Sequence, residues 1–302
     1  MSFAFIEAEK ASFPIQRMCR VLGVSQSGFF AWRDRPACHR QRQDMIHLAH
    51  IRTAFALSNG TYGSPRMHRD LVDEGHQIGR HRTARLMKEN KLVARQKRRF
   101  KRTTDSEHAW PIAPNHVAQD FSAEAPDRKW GADISYVWTA EGWLYLAVII
   151  DLYSRRVVGW ATSDRLKRGL AVEALRRALA ARNPQPGLLH HSDRGSQYCS
   201  VEYQAELRKR GILISMSGKG NCYDNAMVLR RENSPLDCFL ILLTFFKTVK
   251  SELLWPVAWQ SRQQAENAIA RYIDGFYNPV RRHSSLGFQS PIAFERKARE
   301  VS

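Results

Sequence analysis

Trp130-Gly131-Ala132-Asp133-Ile134-Ser135-Tyr136-Val137-Trp138 is followed, after Thr139-Ala140-Glu141-Gly142, by Trp143-Leu144-Tyr145-Leu146-Ala147-Val148-Ile149-Ile150-Asp151. β-Branched and aromatic residues fill both runs, and Glu141-Gly142 between them supplies a turn, so the spacing predicts a hairpin. Arg156 to Thr162 has the same texture and adds a third strand. Beyond it the period changes. Leu166 to Arg182 carries Leu170, Ala174, Leu175, Ala178 and Leu179 at helical spacing; Gly187 to Asp193 reads as a strand, Val201 to Arg210 as a helix and Ile212 to Met216 as a strand. Three meander strands followed by alternating helix and strand predict an α/β fold, a mixed five-stranded sheet with flanking helices.

Upstream, Ile15 to Trp32 reads as helix, turn and helix, with Gly23 as the break and Ser25 as a cap. A second pair follows Gly63-Ser64-Pro65: Arg66 to Val72, a stop at Gly75, then Arg80 to Asn90. Two short helices about a glycine turn are the shape that lays a helix in the DNA major groove. Arg82 and Arg85 stand on the second helix, where they would read base edges. Arg95 to Arg102 then places six basic residues in eight positions, so Lys97, Arg98, Arg99, Lys101 and Arg102 are candidates for phosphate contacts. Pro111 and Pro114 among polar residues mark 103–121 as a connection.

The charge agrees with a nucleic-acid partner. Of 302 residues, 47 are Lys or Arg and 29 are Asp or Glu, a formal net charge of +18. The first 121 positions hold 21 basic and 11 acidic residues and the remaining 181 hold 26 and 18, so positive charge is denser ahead of the sheet. A hydrophobic content of 43% rules out a disordered basic tail. Cys238 to Phe246, the longest apolar run, is about half the length of a membrane span. Glu7 and Glu9 stand where a secretory leader would be basic, so the expectation is a cytoplasmic protein without membrane contact. Five scattered cysteines, none in a Cys-x-x-Cys pair, offer neither a disulfide framework nor a structural zinc site. His47 and His50 lie one helical turn apart with no cysteine pair to answer them, and they are expected on an exposed helix face.

Two acids stand out. Asp133 interrupts an apolar strand, where a carboxylate needs a partner or must take up a proton. Asp193 closes Leu188-Leu189-His190-His191-Ser192 and opens the polar loop Arg194-Gly195-Ser196-Gln197-Tyr198. Acids at the ends of two sheet strands can converge, and oxygen ligands without cysteines suit magnesium or manganese.

These residues carry a resemblance. Trp130 to Tyr136, Glu141 to Ala147, His191 to Tyr198 and Gly220-Asn221-Cys222-Tyr223-Asp224-Asn225-Ala226 resemble the core of bacterial insertion-sequence transposases. More narrowly they are similar to the second-frame (orfB-type) product of two-frame elements, within the retroviral-integrase superfamily. Tyr277-Asn278 with Arg281-Arg282-His283-Ser284-Ser285-Leu286-Gly287 and Pro291 resembles the family's C-terminal end, and Thr61 to Pro65 its DNA-binding part. The resemblance implies a ribonuclease-H-like fold, a triad of two aspartates and a glutamate, and two Mg2+ or Mn2+ ions. It also implies action as a homo-oligomer on duplex DNA, element ends and target alike. Lys219, Arg281 and Arg282, inside or beside its motifs, join the candidates for DNA contact. The chain then divides into an N-terminal helical segment (1–36), a helix-turn-helix-like domain with its basic arm (37–102), a linker (103–121), and an integrase core with a C-terminal extension (122–302).

One part of the pattern is broken. The family glutamate stands about 36 positions after the second aspartate, and here that position is Leu229. The family text continues Glu, Ser, Phe, Phe and a lysine-containing stretch; here Leu229 to Thr244 stands in place of Glu-Ser and the text resumes at Phe245-Phe246. Glu232, one turn beyond Leu229, is the nearest substitute, although Pro235 ends any helix there, and Asp237 and Glu252 stand behind it. Ile241, Leu242, Leu243, Phe245 and Phe246 form an apolar block that requires burial. The expected function is metal-dependent cleavage and joining of the element's DNA, impaired for want of the third acid. The alternatives are a catalytically dead remnant that still binds element ends or partners, and a host DNA-binding regulator with a borrowed nuclease-like domain.

Overall fold

The computed structural model describes residues 2–94, 123–216 and 238–301. Helices α1 (Ser2–Glu9), α2 (Ile15–Val21) and α3 (Gln26–Arg33) close around Ile6, Met18, Cys19 and Phe29. Gly23 takes the left-handed conformation that ends α2, and the Ser25 hydroxyl caps α3 by accepting the Gly28 N–H at 3.0 Å. Next come α4 (His39–Leu57), α5 (Ser64–Asp73) and α6 (Arg80–Glu89), with Gly75 left-handed at the α5–α6 turn. The exposed helix face expected at His47 and His50 holds for His50, which is exposed, and is corrected for His47. His47 is buried, its ring edge-on to His76, while the His50 ring lies 4.0 Å from that of His76. His76 in the α5–α6 turn folds back onto α4, where His47 is covered and His50 stays at the surface.

The sheet contains β1 (Lys129–Thr139), β2 (Gly142–Asp151), β3 (Val157–Ser163), β4 (Leu189–Ser192) and β5 (Leu213–Met216) in the order β3-β2-β1-β4-β5. β1, β2 and β3 pair antiparallel, whereas β4 joins β1 in parallel and β5 joins β4 in parallel. The parallel pairs need crossovers, and α7 (Arg168–Arg182) and α8 (Val201–Lys209) provide them. Alternation along β2 sorts its residues between two cores. Leu144, Leu146, Val148 and Ile150 face one, and Ala147 and Ile149 face the other with α7 and α8. The contact between β3 and α7 depends on Gly159, where a Cβ would stand 2.4 Å from the Ala174 carbonyl oxygen.

The other face is covered by α9 (Cys238–Val249), a π turn over Lys250–Leu254, α10 (Arg262–Tyr272) and a second π turn over Ile273–Tyr277; α11 (Pro291–Val301) follows. Ile241, Leu242, Phe245 and Phe246 of the apolar block are buried here, but Leu243 is 39% exposed. This core runs without a break into Ile51, Tyr62, Met67 and Leu71, so α4, α5 and α6 are docked on the sheet domain. Polar contacts fix the same junction. The Tyr62 hydroxyl donates to the Val280 carbonyl at 3.2 Å and accepts from the Arg282 N–H at 2.9 Å. The Arg282 guanidinium donates to Asp70 at 2.9 Å and to Asp73.

Candidate active site

Parallel pairing of β1 with β4 sets Ala132 opposite Ser192. Asp133 is the next residue of β1, in mid-strand rather than at the strand end expected of it, and Asp193 is the first residue past β4, so two acids 60 positions apart in the chain stand on neighbouring strands. Strands in a sheet are about 4.8 Å apart, which brings the carboxylates into mutual range. Burial first, and the Asp193 charge second, raise the Asp133 carboxyl to about 7. Each acid is also held by its own backbone. Asp133 accepts the Ile134 N–H at 2.7 Å, and Asp193 accepts the Gly195 N–H at 2.9 Å. At position 195 a Cβ would come within 2.9 Å of the Asp193 Oδ1, so any larger residue there would push the acid's side chain aside.

Lys250 completes the setting, and sequence reasoning missed it. It opens the π turn after α9, its ammonium lies 5.3 Å from the Tyr136 ring centre, and it senses the Asp133 charge. Burial pushes the Lys250 ammonium downward in pKa and Asp133 opposes that shift. The available signal was Lys250 in the stretch after Phe245-Phe246. Tyr198 also senses both aspartates; its buried hydroxyl has no hydrogen-bond partner among the described residues. His190 and His191 flank the site without joining it. Burial pushes them to about 3 and about 4, and as neutral rings they pair with the Tyr203 hydroxyl and the Ser215 hydroxyl.

Two crowded carboxylates, an orphaned buried hydroxyl beside them and no thiolate in the set are a fit for a hard divalent cation, which would relieve the repulsion that raises Asp133. No third carboxylate joins them among the described residues. Glu252, the acid nearest Lys250 in the chain, is committed to Arg281 at 2.6 and 2.8 Å and to the Tyr272 hydroxyl at 2.6 Å. Leu229, Glu232 and Asp237 lie outside the described residues, as do Lys219 and the arm residues Lys97, Arg98, Arg99, Lys101 and Arg102.

The remaining DNA candidates are engaged within the fold. Arg281 is corrected outright: it is 4% exposed and its fork is filled by Glu252, which makes it a core ion pair. Arg282 is taken up by Asp70 and Asp73 at the interdomain junction. Asp44 on α4 accepts from Arg82 at 2.6 Å and from Arg85 at 2.7 Å, and Arg85 also reaches Glu89. These two arginines therefore clamp α6 to α4 in this structure. Sequence spacing could not show it, because Asp44 lies 38 and 41 positions away.

An integrase-type core behind a helix-turn-helix-like domain is the class of protein that this fold and site define. The chain matches the HTH-like domain family over residues 41–100 and integrase core domain families over 123–222 and 244–298. It is 42% identical over 285 residues to the insertion element IS600 uncharacterized 31 kDa protein of Shigella sonnei, covering 94% of this chain and 100% of that protein. It is 39% identical over 303 residues to transposase InsF for insertion sequence IS3A of Escherichia coli (strain K12), covering 98% and 99%. Among solved structures, the HTLV-2 integrase catalytic core domain in complex with magnesium aligns with 57% of this chain and 98% of its own at 16% identity and a TM-score of 0.41. The chain belongs to the IS3 family of insertion-sequence transposases, on the strength of its near-full-length relatives. No helix among the described residues is long and apolar enough to cross a membrane.

Proposed function

We propose that this transposase binds the ends of its own element and holds a catalytic cation between Asp133 and Asp193, but cuts and joins DNA poorly because the third acid is missing. The observation that carries the reading is the register of β1 and β4, which sets the two aspartates side by side. Mg2+ or Mn2+, two ions in the complete form of such a site, would polarise the scissile phosphate and activate the attacking hydroxyl. Asp133 and Asp193 hold that charge in place, and Lys250 sets a positive group where a DNA phosphate would enter. The working division is 1–36, 37–102 with its basic arm, a linker at 103–121 and the core from 122 to 302, acting as an oligomer on paired ends.

Helix α9 supports a particular vacancy. Lys250 interacts with Asp133, and side chains on a helix lean toward its N-terminus, so the turn that precedes Lys250 is where a further carboxylate would meet the pair. Seven residues are two turns, which puts Leu243 on the Lys250 face, and Leu243 is exposed where Phe246 is buried. Leu243-Thr244 also stands immediately before Phe245-Phe246, the place of Glu-Ser in the family text. A count from Asp193 points to Leu229; the helix points to Leu243. The reading is tested with element-end DNA in a magnesium-dependent strand-transfer assay on the natural chain and on Asp133→Asn and Asp193→Asn. Binding should persist in all three, with weak joining in the natural chain and none in the variants. Joining that survives both substitutions would refute it.

A further inference from the structure

A second cationic site lies on the opposite side of α9. Ile241, Thr244, Phe245 and Thr248 follow the i, i+3, i+4, i+7 rule and line a cavity of about 90 Å3, while Leu243 and Lys250 point the other way. Three guanidiniums from distant parts of the chain close this cavity: Arg66 from α5, Arg155 from the turn between β2 and β3, and Arg281 from the C-terminal segment. Thr248, Ser284 and Ser285 add hydroxyls to its wall.

The charges do not balance. Glu252 is the carboxylate that serves this group, and the Arg281 fork saturates it at 2.6 and 2.8 Å. Arg66 stands 3.9 Å from the same carboxylate, an ion pair without a hydrogen bond. Arg155 has no ion pair and no side-chain hydrogen bond within the described residues, although it is only part-exposed. It is held there by a left-handed backbone, φ +60°, an uncommon conformation for a residue with a side chain. His283 does not change the sum, since burial and the surrounding arginines keep its ring neutral. Among the described residues, Arg155 and Arg66 therefore share a hydroxyl-lined cavity with only one carboxylate within reach, Glu252, which the Arg281 fork already fills. Gathering such cations is unfavourable unless an anion joins them, and tetrahedral oxyanions match both the guanidinium fork and the hydroxyl donors.

We propose that the cavity between Arg66, Arg155 and Arg281 binds a phosphate group, at a site separate from Asp133 and Asp193. Because Arg66 belongs to the helical domain and Arg155 to the sheet, the bound anion would fasten one to the other. The site does not depend on the catalytic reading given above. The same chemistry is offered by a free phosphate and by a DNA phosphodiester.

Titration of the full chain with inorganic phosphate at constant ionic strength, by calorimetry and by thermal unfolding, tests the site. Saturable binding with a rise in Tm is expected for the natural chain and for Asp133→Asn. Arg155→Gln, which breaks no ion pair, should fold, show an equal or higher Tm without phosphate, and lose at least tenfold in phosphate affinity. Absence of saturable binding, or binding unaltered in Arg155→Gln, would overturn the proposal. Duplex DNA identifies the source. A log–log salt slope smaller by about 0.9 in Arg155→Gln assigns the pocket to a phosphodiester. An unchanged slope, with phosphate binding lost, assigns it to a free phosphate.

Discussion

Burial, and after it the Asp193 charge, push the Asp133 carboxyl up to about 7. Its charge is therefore a cost to the metal-free fold. The folded state holds a proton that the unfolded state releases near pH 4, so stability falls as pH rises from about 4 to about 7 and stays low above that. Asp133→Asn should narrow the Tm difference between pH 5 and pH 8 in chelator, by the equivalent of at least about 1 kcal/mol. Magnesium should raise the Tm of the natural chain at pH 8 and leave both Asp133→Asn and Asp193→Asn unmoved. A natural chain whose Tm ignores magnesium would show that the pair binds no cation. Both acids were legible in the sequence, Asp193 at the close of an apolar strand and Asp133 as an interruption of one, although Asp133 stands in mid-strand and not at its end. Their adjacency was not, since it depends on a parallel pairing between strands that no local pattern announces. The Arg281–Glu252 pair illustrates the same limit: a candidate for DNA contact and a candidate for the third acid neutralise each other inside the core.

Two element contacts carry weight beyond their size. Gly159 lets β3 approach α7 until no Cβ fits, so Gly159→Ala must push the helix away and should cost about 1–3 kcal/mol in chemical denaturation. A neutral result would mean that the helix yields freely. On the DNA side, Asp44 occupies the Arg82 and Arg85 guanidiniums that sequence spacing assigns to base edges. Asp44→Asn should loosen α6 from α4, lowering stability by about 1–2 kcal/mol, and should raise affinity for duplex DNA by releasing positive charge. If affinity falls instead, the clamp is what shapes the DNA-reading surface. The hairpin, α7 and both helix pairs were readable from periodicity and caps. α4 was not read as a packing helix, because its buried face includes His47 as well as Ile51 and Ala54, and histidine does not announce a core position.

At the level of the whole molecule, α4, α5 and α6 are docked on the sheet domain through Tyr62, Arg282 and a shared apolar core. Tyr62→Phe removes one donor and one acceptor at that junction, and it should speed hydrogen exchange in α5 while leaving β1 and β2 unchanged. Equal protection in the variant would show that apolar packing alone holds the domains. The basic arm adds the long-range charge. Replacing Lys97, Arg98, Arg99, Lys101 and Arg102 with alanine should flatten the salt dependence of DNA binding by up to about four units of log–log slope. An unchanged slope would make the arm a plain connector.

Strand transfer by a chain in which Leu229 to Thr244 is replaced by Glu-Ser bears most directly on the central claim, that two well-placed aspartates lack only their third partner. This replacement restores the acid on the Lys250 face of α9 and leaves both aspartate strands untouched. Magnesium-dependent joining of element-end DNA should run at least about a hundredfold faster than in the natural chain, at unchanged DNA affinity, a gain of roughly 3 kcal/mol in transition-state stabilisation. Efficient joining by the natural chain, undiminished by Glu232→Gln and not improved by the replacement, would contradict it.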